Sequence, residues 1–441
     1  MSGKSYSTPR GMRDIDAQEM SKRLWINRKI MKTMQNYGFQ MIEPTAIENL
    51  ETLEAKSGPD IKQEIYWFKD KSGRNLGLRF DLTVGMTRMV ANRFDLPEPI
   101  KLCAISEMWR YDEPQFARYR NFYQWDAEIY ASSEQEADAE VISLGIDILE
   151  DLGLNNFEVR ISNRKLIEGF LQKFGVKDQN KLENILRIID KKTKISREDL
   201  INEFKTLNLT EGAISKIIDL ISFKGNIESS SEIIPDTFLK DTQFSKGYEE
   251  LVNLIDILKS FKRDKKCLID FSIVRGIGYY DGIIFEAYDE MGQDIGSIFG
   301  GGRYDKLCGM YGKRDMPATG VAGGIERLIL SMERNSLIPE ISQSPKVYVV
   351  TINDALRKKG WEIVRKLRDK GFSVDFDMRK RNLKKQLEYA DSLGIPFIIL
   401  IGKKEIEKNK VKLKNMETRQ ESELDLNKVF EKLSSNSRNI A

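Results

Sequence analysis

Residues 108–130, MWRYDEPQFARYRNFYQWDAEIY, decide how the chain is read. Apolar and aromatic residues alternate on both flanks, which predicts two strands, and the polar centre around Pro114 predicts a loop between them. This stretch carries Arg110, Arg118 and Arg120. Guanidinium groups stay charged and grip phosphate oxygens in a bidentate fork, so three on one hairpin can hold a polyphosphate. Phe122, Tyr123 and Trp125 set an aromatic face beside the cations, and Asp126 and Glu128 follow on the second strand. Cations, a stacking ring and carboxylates on adjacent strands suit a nucleotide with a second, positively charged ligand. The simpler alternative is an exposed hairpin with solvated charges.

Outward from this hairpin, a strand is predicted over Ile100–Trp109, a helix over Glu134–Leu152 and a strand over Phe157–Ser162. Upstream, Asp16 is a candidate N-cap with Glu19 three residues later. Met20, Leu24, Ile30, Met31 and Met34 then recur at helical spacing up to Gly38, and a strand over Phe39–Glu43 stops at Pro44. Short strands over Glu64–Phe68 and Asn75–Phe80 turn at Ser72 and Gly73. In LRFDLTV, Asp81 and Thr83 end a strand before a helix over Val84–Asn92. They either receive a substrate ammonium or cap the helix.

Downstream, residues 166–265 read as charged helices with Leu and Ile at core spacing. Strand character resumes over Cys267–Val274, followed by RGIGYYDGIIFEAY (residues 275–288), where Arg275, Gly276 and Gly278 allow a tight backbone beside the phenols of Tyr279 and Tyr280. GSIFGGGRYDKL (residues 296–307) supplies three consecutive glycines, for close backbone approach or for a bulged hairpin. GVAGGIERLIL (residues 320–330) is a glycine-punctuated strand turning into a helix. Arg327 in its first turn is a second phosphate or purine contact, or a structural ion pair. Antiparallel strands close in sequence with helices between them argue for an α+β fold. After the Ser336–Pro345 stretch, which reads as a linker, the pattern becomes strand, helix, strand, helix, strand. The predicted elements are Val347–Thr351, Ala355–Lys370, Phe372–Phe376, Leu383–Leu393 and Pro396–Gly402, a small α/β domain.

Composition narrows the chemistry. Among 441 residues, 71 basic and 68 acidic side chains leave a formal charge of +3, so any nucleic-acid contact must come from local basic patches. Cys103, Cys267 and Cys308 are isolated, which fits neither a disulfide framework nor a CxxC zinc site. The N-terminal residues lack an apolar segment and no run is long enough to span a membrane, so a cytosolic chain is expected. There is no histidine at all. That excludes histidine general bases, Ser/His/Asp triads and histidine-ligated metals, and leaves carboxylates, arginines, hydroxyls and backbone. No G-x-x-x-x-G-K-[ST] loop is present, so phosphate binding must rest on arginines.

PRGMRD, LRFDLT, RYDEPQFARYRNFYQWDAE, VRGIGYY, GGGRYD and GVAGGIERL, in this order, resemble the class II aminoacyl-tRNA synthetases and specifically the histidyl-tRNA synthetase family. LRFDLT is similar to its archaeal and eukaryotic branch. The resemblance implies a catalytic domain of antiparallel sheet in two parts, residues 1–165 and 266–335, around a helical insertion at 166–265. A linker at 336–345 and an α/β anticodon-binding domain at 346–441 would complete the chain. It implies ATP with Mg2+, L-histidine and a histidine tRNA as partners, and a cytoplasmic homodimer built on the first helix and the Pro44 strand.

Residue by residue, the resemblance gives Arg110 the α-phosphate and the substrate carboxylate, Arg118 and Arg327 the distal phosphates and the adenine end, and Phe122 the purine stack. Arg275 takes the place of a fixed catalytic cation at the α-phosphate. The α-ammonium of histidine would meet Asp81, Thr83 and Gln124. Its imidazole would lie between Glu128 and Tyr280, with Tyr279 nearby. No protein metal ligand is assigned. Gly278 and Asp281 replace the usual Asp and Thr of RGLDYYT, Glu113 stands where many members have Arg, and Tyr123 replaces a common His. Two other readings remain. A non-catalytic paralogue would lack the C-terminal domain and motif arginines, both present here, and a synthetase for proline or threonine fits Glu128, Tyr279 and Tyr280 poorly.

Overall fold

The computed structural model describes residues 6–57, 59–113, 116–234, 237–238, 242–274, 279–312, 314–341 and 343–437. Arg275, Gly276, Gly278 and Pro114 lie outside the described residues. The chain divides into two units, Met1–Glu340 and Ile341–Ala441.

In chain order, the strands of the first unit are β1 (Gln40–Met41), β2 (Ile47–Asn49), β3 (Trp67–Lys69), β4 (Asn75–Leu78), β5 (Ile100–Trp109), β6 (Asn121–Tyr130), β7 (Phe157–Asn163), β8 (Lys224–Gly225), β9 (Cys267–Asp270), β10 (Ile283–Asp289), β11 (Ser297–Arg303) and β12 (Ala318–Gly324). The alternation of residues 100–130 produces an antiparallel hairpin, with Ile100 opposite Tyr130 and Trp109 opposite Asn121. Around it, β1-β5-β6-β12-β11-β10-β7-β9-β8 form one sheet. Its pairs are antiparallel except β1 with β5 and β7 with β9. The strand expected over Phe39–Glu43 is shorter, pairing through Gln40 and Met41 with a further bond from the Ile42 N–H to the Cys103 carbonyl at 2.9 Å, before the chain reaches Pro44. A second sheet, β2-β4-β3, was not foreseen at β2.

Glycines set the floor of the large sheet. A Cβ on Gly301 would lie 1.9 Å from the Gly320 carbonyl oxygen, and one on Gly320 would lie 1.5 Å from Oε2 of Glu128. Side chains are excluded there because the neighbouring strand and the Glu128 carboxylate already fill the space. The three glycines Gly300–Gly302 keep regular pairing; the register shifts further along the same strand, where Ala287 faces Phe299 but Tyr288 faces Ser297 and Ile298 of β11 is the extra residue.

The first helix, Ala17–Asn36, starts where the Asp16 side chain accepts from the Glu19 N–H at 2.8 Å. Its Ile26, Ile30 and Met34 are fully buried. Leu24, expected in the core, is exposed, and Arg23 points inward instead to a buried carboxylate. Helices Arg164–Lys173 and Thr242–Ser260 cross closely, since a Cβ on Gly247 would sit 2.5 Å from the Leu166 nitrogen. The helical stretch shares one continuous core with the sheet: Leu166, Ile185 and Leu254 cluster with Val159 and Phe285.

The second unit has β13 (Val347–Thr351), β14 (Val374–Phe376), β15 (Phe397–Ile401), β16 (Val411–Asn415) and β17 (Glu421–Leu424), in the order β14-β13-β15-β16-β17. The first three are parallel and the last two add an antiparallel hairpin. Helices Arg357–Asp369, Leu383–Ser392 and Leu426–Ser437 accompany them. No helix among the described residues is long and apolar enough to cross a membrane.

Candidate active site

A cavity of about 850 Å3 opens over the glycine floor. It is lined by Asp81, Thr83, Arg110, Arg118, Phe122, Gln124, Glu128, Tyr279, Tyr280 and Arg327. Every residue singled out for ATP or histidine that the structure describes therefore meets in one space; Arg275 lies outside the described residues.

At one end stands Glu128, 2% exposed. Strand β6 points it inward, and Gly320 opposite leaves the room it occupies. Thr83 donates to its Oε1 at 2.8 Å, and the Tyr304 hydroxyl donates to its Oε2. Burial, and then the Glu128 charge, push the Tyr304 phenol well above its ordinary value, so it remains a donor. The rings of Tyr279 and Tyr280 lie 4.2 Å apart, centre to centre, and 5.9 and 6.3 Å from Tyr304. Together they make an aromatic wall with phenol groups around a fixed carboxylate. Tyr304 was missed in the sequence, where GGGRYD is read for its glycines. The Arg303 beside it does not enter the cavity; it bonds Asp138 and the carbonyls of Ser132 and Glu134.

Asp81 lines the cavity, and its Oδ1 accepts from the Val84 N–H at 3.1 Å, as the capping reading expects. Gln124 donates to Asp126 at 2.8 Å.

At the other end are the arginines. Arg110 donates to the Phe80 carbonyl at 3.0 Å and stacks 5.0 Å above the Phe122 ring, which fixes cation and ring together. Arg118 is half-exposed, 3.5 Å from Asp112. Arg327 donates to the Ser297 carbonyl at 3.0 Å. Arg120 departs from the expectation of three converging cations. It is buried, donates to the Asp112 carbonyl and stacks on Tyr111, and so braces the loop. Glu113 pairs with Arg10 at 2.9 Å on the surface.

Glu326, next to Arg327, is held inside the protein. It accepts from Arg23 at 2.9 Å and from the Tyr123 N–H at 3.0 Å. Burial pushes its carboxyl above the usual value, and Arg23 opposes that shift. The first helix is thereby tied to the cavity floor.

The histidyl-tRNA synthetase family profile matches residues 11–328. The chain belongs to the histidyl-tRNA synthetase family. An anticodon-binding domain profile matches residues 346–436. Curated relatives include the histidine–tRNA ligase of Pyrococcus furiosus, 38% identical over 423 residues, and that of Thermococcus kodakarensis, 37% identical over 429. Each comparison covers 96% of this chain and 97% of the relative. Among solved structures, a histidyl-tRNA synthetase from a Nostoc species superimposes with a TM-score of 0.85 at 28% identity, over 98% of this chain and all of that one. As a member of the histidyl-tRNA synthetase family the chain is an aminoacyl-tRNA ligase that charges tRNA with histidine.

Proposed function

We propose that the cavity joins L-histidine and ATP as histidyl-adenylate and then passes histidine to the 3′ end of a histidine tRNA. One observation supports this best: a buried, doubly bonded carboxylate ringed by tyrosines shares a cavity with Arg110, Arg118 and Arg327. An imidazole needs an acceptor for its N–H and a polar partner for the other nitrogen, which Glu128 and Tyr280 would provide, with Tyr279 beside them. Asp81, Thr83 and Gln124 would receive the α-ammonium.

In the first step a carboxylate oxygen of histidine attacks the α-phosphorus, the bond to the bridging oxygen breaks, and diphosphate leaves. Arg110 would hold both reacting groups in line, and Arg275 would supply a further cation where charge develops. Phe122 would stack on the adenine, while Arg118 and Arg327 would hold the distal phosphates and the adenine end. In the second step the terminal ribose hydroxyl attacks the carbonyl carbon and AMP leaves. Neither step requires a histidine side chain.

Magnesium would come with ATP. Among the described residues no three Asp, Glu, Cys or His side chains gather into a cation cage. Asp112, beside Arg118, is the cavity carboxylate that would meet magnesium.

For the tRNA, the second unit offers an end of its sheet. The loops after the parallel strands β13 and β14 expose Ile352 and Met378, and the Trp361 ring lies 4.8 Å from that of Phe376, tilted by 55°. These three are the exposed large apolar side chains of that unit among the described residues, and Arg357, Lys358, Arg379 and Lys380 surround them in sequence. Rings beside cations suit the unstacked bases of an anticodon loop. We further propose a cytoplasmic homodimer built on the first helix and the β1 edge.

ATP–diphosphate exchange with each amino acid in turn tests the reading. Histidine alone should support exchange, and exchange should vanish in Arg275→Ala. Exchange with proline or threonine, or with none, would overturn it. Charging of histidine tRNA transcripts with and without the extra 5′ guanylate would then measure what Glu113 does at the acceptor end, and light scattering would test the dimer.

A further inference from the structure

Tyr279 and Tyr280 precede β10, whereas Tyr304 follows β11, so two separate segments must hold three rings in one arrangement. Their neighbour Asp281 joins those segments twice. Its N–H donates to the Arg303 carbonyl at 3.0 Å, and its Oδ1 accepts from the Asp305 N–H at 3.2 Å. Tyr304 stands between those two contacts in sequence, and its own N–H is taken by the Ala318 carbonyl at 2.8 Å. The ring of Tyr280 packs against Gly302, where a Cβ would meet it at 3.0 Å. Asp281 does not line the cavity lying beyond these rings. Its surroundings are charged but already bonded. Arg303 pairs with Asp138 and Asp305, and Lys165 pairs with Glu250. A side chain that spans two segments beside a binding wall, yet makes no contact with the binding space, acts on the geometry of that wall.

We infer that Asp281 is a positioning residue for amino-acid recognition: it latches the Tyr279–Tyr280 segment to the Tyr304 segment and so keeps the tyrosine wall registered against Glu128. The inference rests on the proposed histidine pocket. It assigns Asp281 to the amino-acid end alone, because Arg110 stands just after β5, Phe122 on β6 and Arg327 on the helix after β12 rather than on either latched segment.

Kinetics of ATP–diphosphate exchange test it in the full chain. Losing a hydrogen bond to a carboxylate should raise the KM for histidine about tenfold in Asp281→Ala, with kcat and the KM for ATP within about twofold of the unaltered chain. Asp281→Asn keeps an acceptor oxygen at the same reach and should restore the histidine KM to within about threefold. Should Asp281→Ala not fold, Asp281→Ser, whose hydroxyl stops short of the Asp305 N–H, reads the same split. An unchanged histidine KM, or equal rises for both substrates, overturns the latch. If instead the unaltered chain shows no histidine-dependent exchange, the pocket reading fails, and the two failures are told apart.

Discussion

The two ends of the cavity hold their charges in different ways. Glu128 is buried with both oxygens bonded, by Thr83 and by Tyr304, whereas Arg118 is half-exposed with its carboxylate partner 3.5 Å away. A ring with two distinct nitrogens is recognised by direction, so its partner must be fixed before the ligand arrives. At the outer end Arg110 is fixed by the Phe80 carbonyl and the Phe122 ring, whereas the Arg118 guanidinium stays solvated and free to turn its fork. The Glu128 end is thus held on both oxygens, while at the arginine end Arg118 is the adaptable group beside the fixed Arg110.

Removing the fixed charge should break that contrast most. Glu128→Gln keeps the size and one acceptor but presents an amide where an ion stood, and kcat/KM for histidine should fall on the order of 10³-fold. The KM for ATP should stay within about twofold. If both substrates lose affinity alike in exchange kinetics, the two ends are not separable as described. A comparable loss, expressed in stability, is expected from Arg23→Ala. Glu326 would be left buried without its cation, at a cost of about 3–5 kcal/mol in urea unfolding. Arg118→Ala should do far less: about a tenfold rise in the KM for ATP, shrinking as salt is added, with no change in histidine binding. Insensitivity to salt would count against a solvated phosphate contact.

Much of this was legible in the residues because it rests on periodicity and caps. The β5–β6 hairpin follows from alternation, and the first helix follows from Asp16 and Glu19. What was not legible depends on partners distant in sequence. Nothing in ARYRN distinguishes Arg118, which faces the cavity, from Arg120, which is satisfied by the Asp112 carbonyl and Tyr111. Tyr304 carries no signal of its own beside three glycines until the fold brings its hydroxyl to Glu128. The β16–β17 hairpin hides in a lysine-rich run, since Val411 and Leu413 alternate with lysines that pair across to Glu421. The charges mask the strands there, and the alternation beneath them is too short to stand out.

The smallest effect sharpens the comparison by asking what the amino-acid end costs the fold. Burial, and then the nearby Asp305, push the Asp281 carboxyl up to about 6, against weaker opposing pulls from the Asp305 N–H, Lys165 and Lys306. A carboxyl held above its ordinary value favours the folded state while protonated. Its contribution is present below the unfolded value near 3.8 and is lost as the pH rises through about 6. Asp281→Asn carries no charge at any pH, so it should match the unaltered chain at pH 4. At pH 8 it should be the more stable by about 1 kcal/mol, a figure discounted for the solvent that reaches the group. Urea unfolding at the two pH values reads the difference directly. A gain of equal size at both would assign it to packing rather than charge. No gain at pH 8 would mean that Asp281 is ionised in the fold without cost, and that the rigid end of the cavity holds its carboxylates as easily as the open end holds Arg118.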